Sequence, residues 1–111
     1  MSFVALGFLR KDVSRQRQRW DETQVRHVAR RLGYELSKTI TFSHLTRDPV
    51  RQLLDTVVRF DADAVVVPSV EHFADHIIPA ELVAITDVIT VAPEHIYAHW
   101  QEWEMSPAER L

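Results

Sequence analysis

The stretch FVALGFLR, residues 3–10, decides the class of fold. It is an almost unbroken apolar run that stops at Arg10. Such a run is typical of a strand that is covered on both faces, as strands in parallel sheets are. The rest of the chain is best interpreted as further strands and helices in alternation around this strand.

Working outward, apolar stretches of strand length alternate with stretches of helical period. The order β-α-β-α-β-α-β-α predicts an α/β domain of three layers, with a mostly parallel four-stranded sheet and flanking helices. Lys38 interrupts the apolar face of the second strand, which is typical of an edge strand. The predicted strands are 3–9, 34–41, 64–67 and 88–92, and the predicted helices are 14–32, 50–60, a stretch broken at Pro79, and 94–104.

Right-handed crossovers between parallel strands place their carboxyl ends at one edge of the sheet, which we call the carboxyl edge. A binding or catalytic site is expected there. The residues predicted to lie at the carboxyl edge are Arg10, Lys11, Asp12, His44, Arg47 and the segment 68–72.

Composition limits the function. The 111 residues suit one domain, here 1–93, followed by a helical tail, 94–111. The absence of cysteine excludes disulfides and thiolate chemistry, and no run approaches the length of a membrane helix, so we expect a cytoplasmic protein without membrane contact. With only Gly7 and Gly33, the chain has neither a phosphate-binding loop nor a dinucleotide fingerprint, and no cofactor is expected.

Charge is divided unevenly along the chain. Residues 1–60 hold twelve bases and six acids, whereas residues 61–111 hold one base and ten acids, for a net charge of −3. Either this reflects solvated helices and chance, or two faces of opposite sign steer a partner or favour self-association. The candidate anion-binding or nucleic-acid-binding residues are Arg10, Lys11, Arg15, Arg19 and Arg47.

Two pairs of histidines stand four residues apart, His72 with His76 and His95 with His99. On helices, this spacing suits zinc, although nothing in the sequence brings the two pairs together. Histidines on polar helices are the simpler interpretation, and no metal site is predicted.

Four stretches in order, GFLRKD (7–12), RQRQRWDETQVRHVARRLG (15–33), TRDPVRQLLD (46–55) and VVVPSVEHFAD (65–75), resemble the N-terminal catalytic domain of the serine recombinases, the resolvase and invertase family. The resemblance covers roughly residues 3–92 and implies a resolvase-like fold. That family cleaves DNA with a serine hydroxyl and uses arginines to bind the phosphate.

The resemblance places the family's positions on Arg10, Asp12, Arg47, Glu71 and His72. Asp12 stands where the serine nucleophile is expected, and His72 stands where an arginine is expected. A carboxylate repels a phosphate and supplies no hydroxyl. The resemblance therefore implies a catalytically inactive relative, a pseudoenzyme that binds or regulates, in contact with a protein partner, a second copy in a homodimer, or DNA.

Two alternatives stay open at this stage. One is an active phosphoryl-transfer enzyme, and the other is a small hydrolase that uses Asp12, His44 and His72. A separate prediction concerns the tail, where Ile96, Trp100 and Trp103 share one side of the predicted helix. They either cover the sheet or form an interface with a partner, as exposed aromatic residues often do.

Overall fold

The computed structural model describes residues 3–99, in which strands and helices alternate from β1 onward. Short 3₁₀ turns supplement the regular elements after α1 and after β3. The elements are β1 (Phe3–Arg10), α1 (Lys11–Ser14), a 3₁₀ turn (Arg15–Arg17), α2 (Gln18–Arg31), β2 (Tyr34–Phe42), α3 (Pro49–Phe60), β3 (Ala64–Val67), two 3₁₀ turns (Val70–His72 and Ala74–His76), α4 (Ala80–Val83), β4 (Asp87–Thr90) and β5 (His95–Tyr97).

The strands form one mixed sheet in the order β2-β1-β3-β4-β5. The pairs β1–β2, β1–β3 and β3–β4 are parallel, whereas β5 runs antiparallel to β4. An α/β fold is therefore confirmed, with five strands in the described residues instead of four. β2 lies at one edge, as Lys38 predicts, and β5 lies at the other.

The prediction of a helix from Glu94 is wrong for residues 95–97, which form β5. Val88 pairs with Tyr97 and Ile89 pairs with Ile96, so β4 gains a second neighbour. The remainder of the predicted tail helix, including Trp100 and Trp103, lies outside the described residues.

Apolar side chains bury both faces of the sheet. α2 contributes Val25, Val28 and Ala29 to one cluster, which includes Ile89 of β4. On the opposite face, α3 contributes Leu53 and Val57 to a second cluster. All four residues of β3 are buried because both clusters draw on this strand.

Gly7 sits where β1, β2 and α2 approach most closely. A Cβ atom at this position would lie 2.6 Å from Oγ1 of Thr39 and 3.0 Å from a methyl carbon of Val25. Real side chains do not tolerate the first of these distances, so glycine at position 7 lets α2 and β2 pack against β1.

The helix predicted for residues 14–32 is interrupted near its start. Arg15 has a φ of 52°, and a 3₁₀ turn separates the short α1 from α2. Ser14 is therefore the last residue of α1 and does not begin a continuous helix over residues 14–32. In contrast, Asp48 caps α3 by accepting a hydrogen bond from the amide of Arg51, with Pro49 at the first helical position.

No helix among residues 3–99 is long and apolar enough to cross a bilayer. The parallel strands β1, β3 and β4 end at one edge of the sheet, which places Arg10, Pro68 and Val91 near one another. This is the carboxyl edge that the sequence predicts as the position of a site.

Candidate functional site

The carboxyl edge begins with an ion pair between two residues of the predicted site. Nε of Arg10 donates to Oδ1 of Asp12 at 3.2 Å, and Nη2 donates to Oδ2 at 2.9 Å. Both side chains are partly buried. A two-point contact of this kind holds the guanidinium in place and compensates its charge. Arg10 is therefore directed to a carboxylate of its own chain.

His72 contacts the end of β1 from the 3₁₀ turn that follows β3. The ring is 3% exposed, and its Nδ1 accepts a hydrogen bond of 2.9 Å from the backbone N–H of Arg10. An imidazole that accepts at Nδ1 carries its proton on Nε2 when neutral. Burial lowers the pKa of His72, although the carboxylates of Asp21 and Glu71 act in the opposite direction. The ring is therefore a neutral donor at pH 7.

A second polar pair joins α1 to α2. The hydroxyl of Ser14 donates to Oδ2 of Asp21 at 2.6 Å, and both side chains are buried. Nη2 of Arg17 lies 3.8 Å from the other oxygen of Asp21, beyond hydrogen-bond distance. This contact orients Ser14 toward a carboxylate and holds the broken helix together.

Ser14, Asp21 and His72 line one cavity of about 200 Å³. Its walls come from α1, α2 and the loops that follow β3 and β4, so it opens at the carboxyl edge. The cavity is lined by Val13, Ser14, Arg17, Trp20, Asp21, Gln24, Pro68, Ser69, Glu71, His72, Val91 and Ala92.

The structure brings together Arg10, Asp12 and His72 from the predicted site, and Glu71 borders the same cavity. Among residues 3–99, no hydrogen bond or ion pair joins the side chains of His44 or Arg47 to this group. Both are exposed in the connection between β2 and α3. The set of Asp12, His44 and His72 that a hydrolase would use is therefore not assembled by direct contacts.

The other predicted cations point to solvent. Lys11, Arg15 and Arg19 are exposed on the segment that follows β1. The guanidinium of Arg15 reaches back to the carbonyl of Asp12 at 3.2 Å. In the described part of the chain these residues form an exposed basic surface beside the cavity and not part of its lining.

The histidine pairs do not have the helical geometry that their spacing suggests. His72 and His76 belong to two separate 3₁₀ turns, and His95 begins β5. His99 instead bonds to Asp87 at the start of β4, with 2.8 Å between Nδ1 and the carboxylate. Within residues 3–99, no three histidine or acidic side chains are placed to hold a metal ion.

A second, apolar groove of about 570 Å³ lies beside β5. Tyr97 and Ala98 form one wall, and the segment from Val70 to Val83 forms the other. Ile77 at its border is 66% exposed. Ile96 is also exposed, but alternation along β5 places it on the opposite face of the sheet from Tyr97. Its predicted interface partners, Trp100 and Trp103, lie outside the described residues.

Sequence reasoning missed the pairing of Ser14 with Asp21. On a continuous helix, a spacing of seven residues places two side chains on one face but about 10 Å apart along the axis, too far for a hydrogen bond. The break at Arg15 disturbs this spacing, so only the folded structure shows the contact.

No family model and no curated protein matches this chain. The resemblance to serine recombinases therefore depends on the quoted residues alone. The cavity at the carboxyl edge and the groove beside β5 are two surfaces that can carry a function.

Proposed function

We propose that this chain is a non-catalytic module that binds a protein partner through β5 and the adjacent apolar groove. The proposal includes the resolvase-like, three-layer arrangement that the resemblance implies, without the chemistry that cleaves DNA. The observation that carries it is the groove itself, in which apolar side chains stay exposed beside an edge strand.

The contacts at the carboxyl edge argue against cleavage of a phosphodiester. Arg10 is paired with Asp12, so its positive charge is already compensated. Ser14 donates its only hydroxyl proton to Asp21 and is buried. A phosphate at this edge would meet the carboxylates of Asp12, Asp21 and Glu71, and like charges so close disfavour its binding.

Charge near the groove selects the kind of partner. Residues 60–99 contain seven acidic residues and neither lysine nor arginine. Asp75 and Glu81 are exposed on the two short segments that border the groove. A second copy of the chain, related by a two-fold axis at this surface, would bring acidic residues against acidic residues. A partner segment that combines apolar and basic side chains is complementary.

β5 indicates how such a segment is held. It pairs with β4 on one side and is the last strand of the sheet among residues 3–99. Within residues 3–99, no strand pairs with its outer backbone groups, and the side chains of an added strand would alternate between the groove and the face that carries Ile96. Main-chain hydrogen bonds would supply affinity, and the groove would supply selectivity.

The test uses a synthetic peptide of seven residues in which lysine alternates with isoleucine, and a control peptide with glutamate in place of lysine. We expect the lysine peptide to bind, and Ile77→Asp to weaken binding at least tenfold. Val58→Asp is the matched control, because Val58 is 71% exposed on α3 and does not line the groove. Fluorescence anisotropy measures both affinities.

Four results would overturn the proposal. The two peptides bind equally well, or Ile77→Asp weakens binding no more than Val58→Asp does. Sedimentation velocity shows a dimer that Ile77→Asp dissociates, which would make a second copy the occupant. Finally, incubation with supercoiled plasmid gives a covalent serine–DNA adduct, which would establish an active recombinase.

A further inference from the structure

We propose that the cavity at the carboxyl edge binds a small organic ligand that carries a protonated amine and an oxygen a few bonds away. This site is separate from the groove beside β5, and neither proposal depends on the other. Three features of the cavity support it: the hydrogen-bonding capacity of two buried side chains, the net charge of the lining and the volume of the cavity.

Two buried side chains keep one polar atom each for a ligand. Asp21 is 6% exposed, and its Oδ2 is used by Ser14 while its Oδ1 has Arg17 no closer than 3.8 Å. His72 uses Nδ1 for the amide of Arg10, which leaves the Nε2 proton.

These two atoms have access to the cavity. In the described part of the chain, no fully buried side-chain nitrogen or oxygen lacks a hydrogen-bond partner. Oδ1 of Asp21 and Nε2 of His72 have no partner within hydrogen-bond distance there, so they are not enclosed by packed protein, and both residues line the cavity. The lining thus offers a carboxylate acceptor and an N–H donor from side chains that are themselves almost fully buried.

The charges of the lining favour a cation. Asp21 and Glu71 are negative, Arg17 is positive, and His72 is neutral because burial lowers its pKa. The neighbouring Arg10 and Asp12 compensate each other. One negative charge remains, in a partly enclosed space where electrostatic interactions are stronger than in water. Trp20, which is 59% exposed on the wall, offers an aromatic face to a cation or an alkyl chain.

The same geometry disfavours a metal ion at this place. A histidine that binds a metal through Nε2 normally donates a proton from Nδ1 to a second group. Here Nδ1 accepts a hydrogen bond, so Nε2 carries the proton and acts as a donor. An amine bonded to Asp21 and an oxygen that accepts from His72 satisfy both groups at once.

Size restricts the ligand to a small molecule. A volume of about 200 Å³ corresponds to roughly six or seven water molecules at about 30 Å³ each. A suitable probe is 2-amino-1,3-propanediol, and glycerol is its uncharged control of the same size. Isopropylamine is the control that lacks oxygen, and lactate is the control that carries a negative charge.

Backbone NMR spectra of the full chain, recorded during titration with each probe at constant ionic strength, test the proposal. We expect 2-amino-1,3-propanediol to shift the signals of Asp21, Gln24 and His72, and to bind at least fivefold more tightly than isopropylamine. Glycerol and lactate should leave these signals unchanged. Asp21→Asn should weaken binding at least tenfold, whereas Asp55→Asn, which removes an exposed carboxylate of α3, should not.

The proposal is overturned if lactate or glycerol binds as well as the amine, if no probe shifts the cavity signals, or if the shifts lie elsewhere. Since Asp21→Asn removes a buried carboxylate, the folded state of the variant is checked in the same spectra. Should it fail to fold, Glu71→Gln, at an exposed residue, replaces it, with an expected loss of at least threefold.

Discussion

The exit of β1 and the edge strand β5 differ in which side chains they bury and which they leave exposed. At the exit of β1, several charged and polar side chains are partly or fully buried and bonded to one another, as in the contacts of Arg10 with Asp12 and of Ser14 with Asp21. On β5 and across the adjacent groove, the apolar side chains of Ile96 and Ile77 remain exposed to solvent. The first region uses most of its polar groups in contacts within the chain, whereas the second leaves apolar surface for another molecule to cover.

This difference separates residues that maintain the fold, at the exit of β1, from residues that are exposed for recognition, beside β5. Loss of a partner inside a buried polar network leaves another group unsatisfied, which costs stability. Loss of an exposed apolar side chain costs little stability, although it removes contact area from an interface. Substitutions at the exit of β1 are therefore expected to change stability more than substitutions on β5 do.

Replacement of His72 should have the largest effect on stability. His72→Ala is expected to lower the free energy of unfolding by about 2–4 kcal/mol, because it opens a cavity and removes the acceptor of the Arg10 amide. His72→Asn retains an acceptor oxygen and should cost less. Urea unfolding followed by circular dichroism measures both variants. Equal losses in the two would show that the hydrogen bond to Arg10 contributes nothing.

The stability of the protein should also depend on pH through the same ring. Burial lowers the pKa of His72, so the unfolded chain binds this proton at a higher pH than the folded protein does. The contribution of the neutral His72 ring to the free energy of unfolding is therefore complete above about pH 6.5. It is lost as the pH falls from there through the lower pKa of the folded state.

Urea unfolding at pH 7.5, 6.5 and 5.5 checks this prediction. The free energy of unfolding should fall more steeply toward pH 5.5 in the wild type than in His72→Asn, which does not titrate in this range. Identical pH profiles for the two proteins would contradict the assignment, since the other histidines are common to both.

Removal of the carboxylate that pairs with Arg10 should increase the affinity of the protein for DNA. Asp12→Asn removes the carboxylate that compensates the guanidinium, so affinity for random duplex DNA is expected to rise several-fold, with a salt slope steeper by about 1. Asp55→Asn is the matched control, because it removes the same charge from an exposed ion pair with Arg51. Anisotropy titrations at several salt concentrations measure both. Equal gains in DNA affinity in the two variants would show that net charge alone, and not the pairing of Arg10, sets the affinity.

The smallest effect is expected at the edge strand. Ile96→Thr should change the free energy of unfolding by no more than about 0.5 kcal/mol, because the side chain is exposed and threonine is also favoured in strands. The measurement is again urea unfolding, with His72→Ala as the reference. A loss comparable to that of His72→Ala would mean that Ile96 is part of the core.

Much of the fold was predictable from the order of residues. The apolar run of β1, the buried valines of β3 and the capping pair Asp48–Pro49 all act locally, through side-chain period and backbone preference. For the same reason Lys38 identified β2 as an edge strand. The position of the candidate site at the carboxyl edge followed from the handedness of parallel crossovers.

Only the tertiary structure decided the contacts between residues that are far apart in sequence and the contacts that depend on an irregular backbone. The sequence favours a helix at residues 95–97, but pairing with β4 gives a strand, since β-structure depends on its neighbours. The bond between His72 and the Arg10 amide spans sixty-two positions and fixes which nitrogen carries the proton. The contact of Ser14 with Asp21 needs the break at Arg15. Local preference determined the elements, and their packing determined which polar groups meet, because hydrogen bonds require contact in space and leave no periodic signal in the chain.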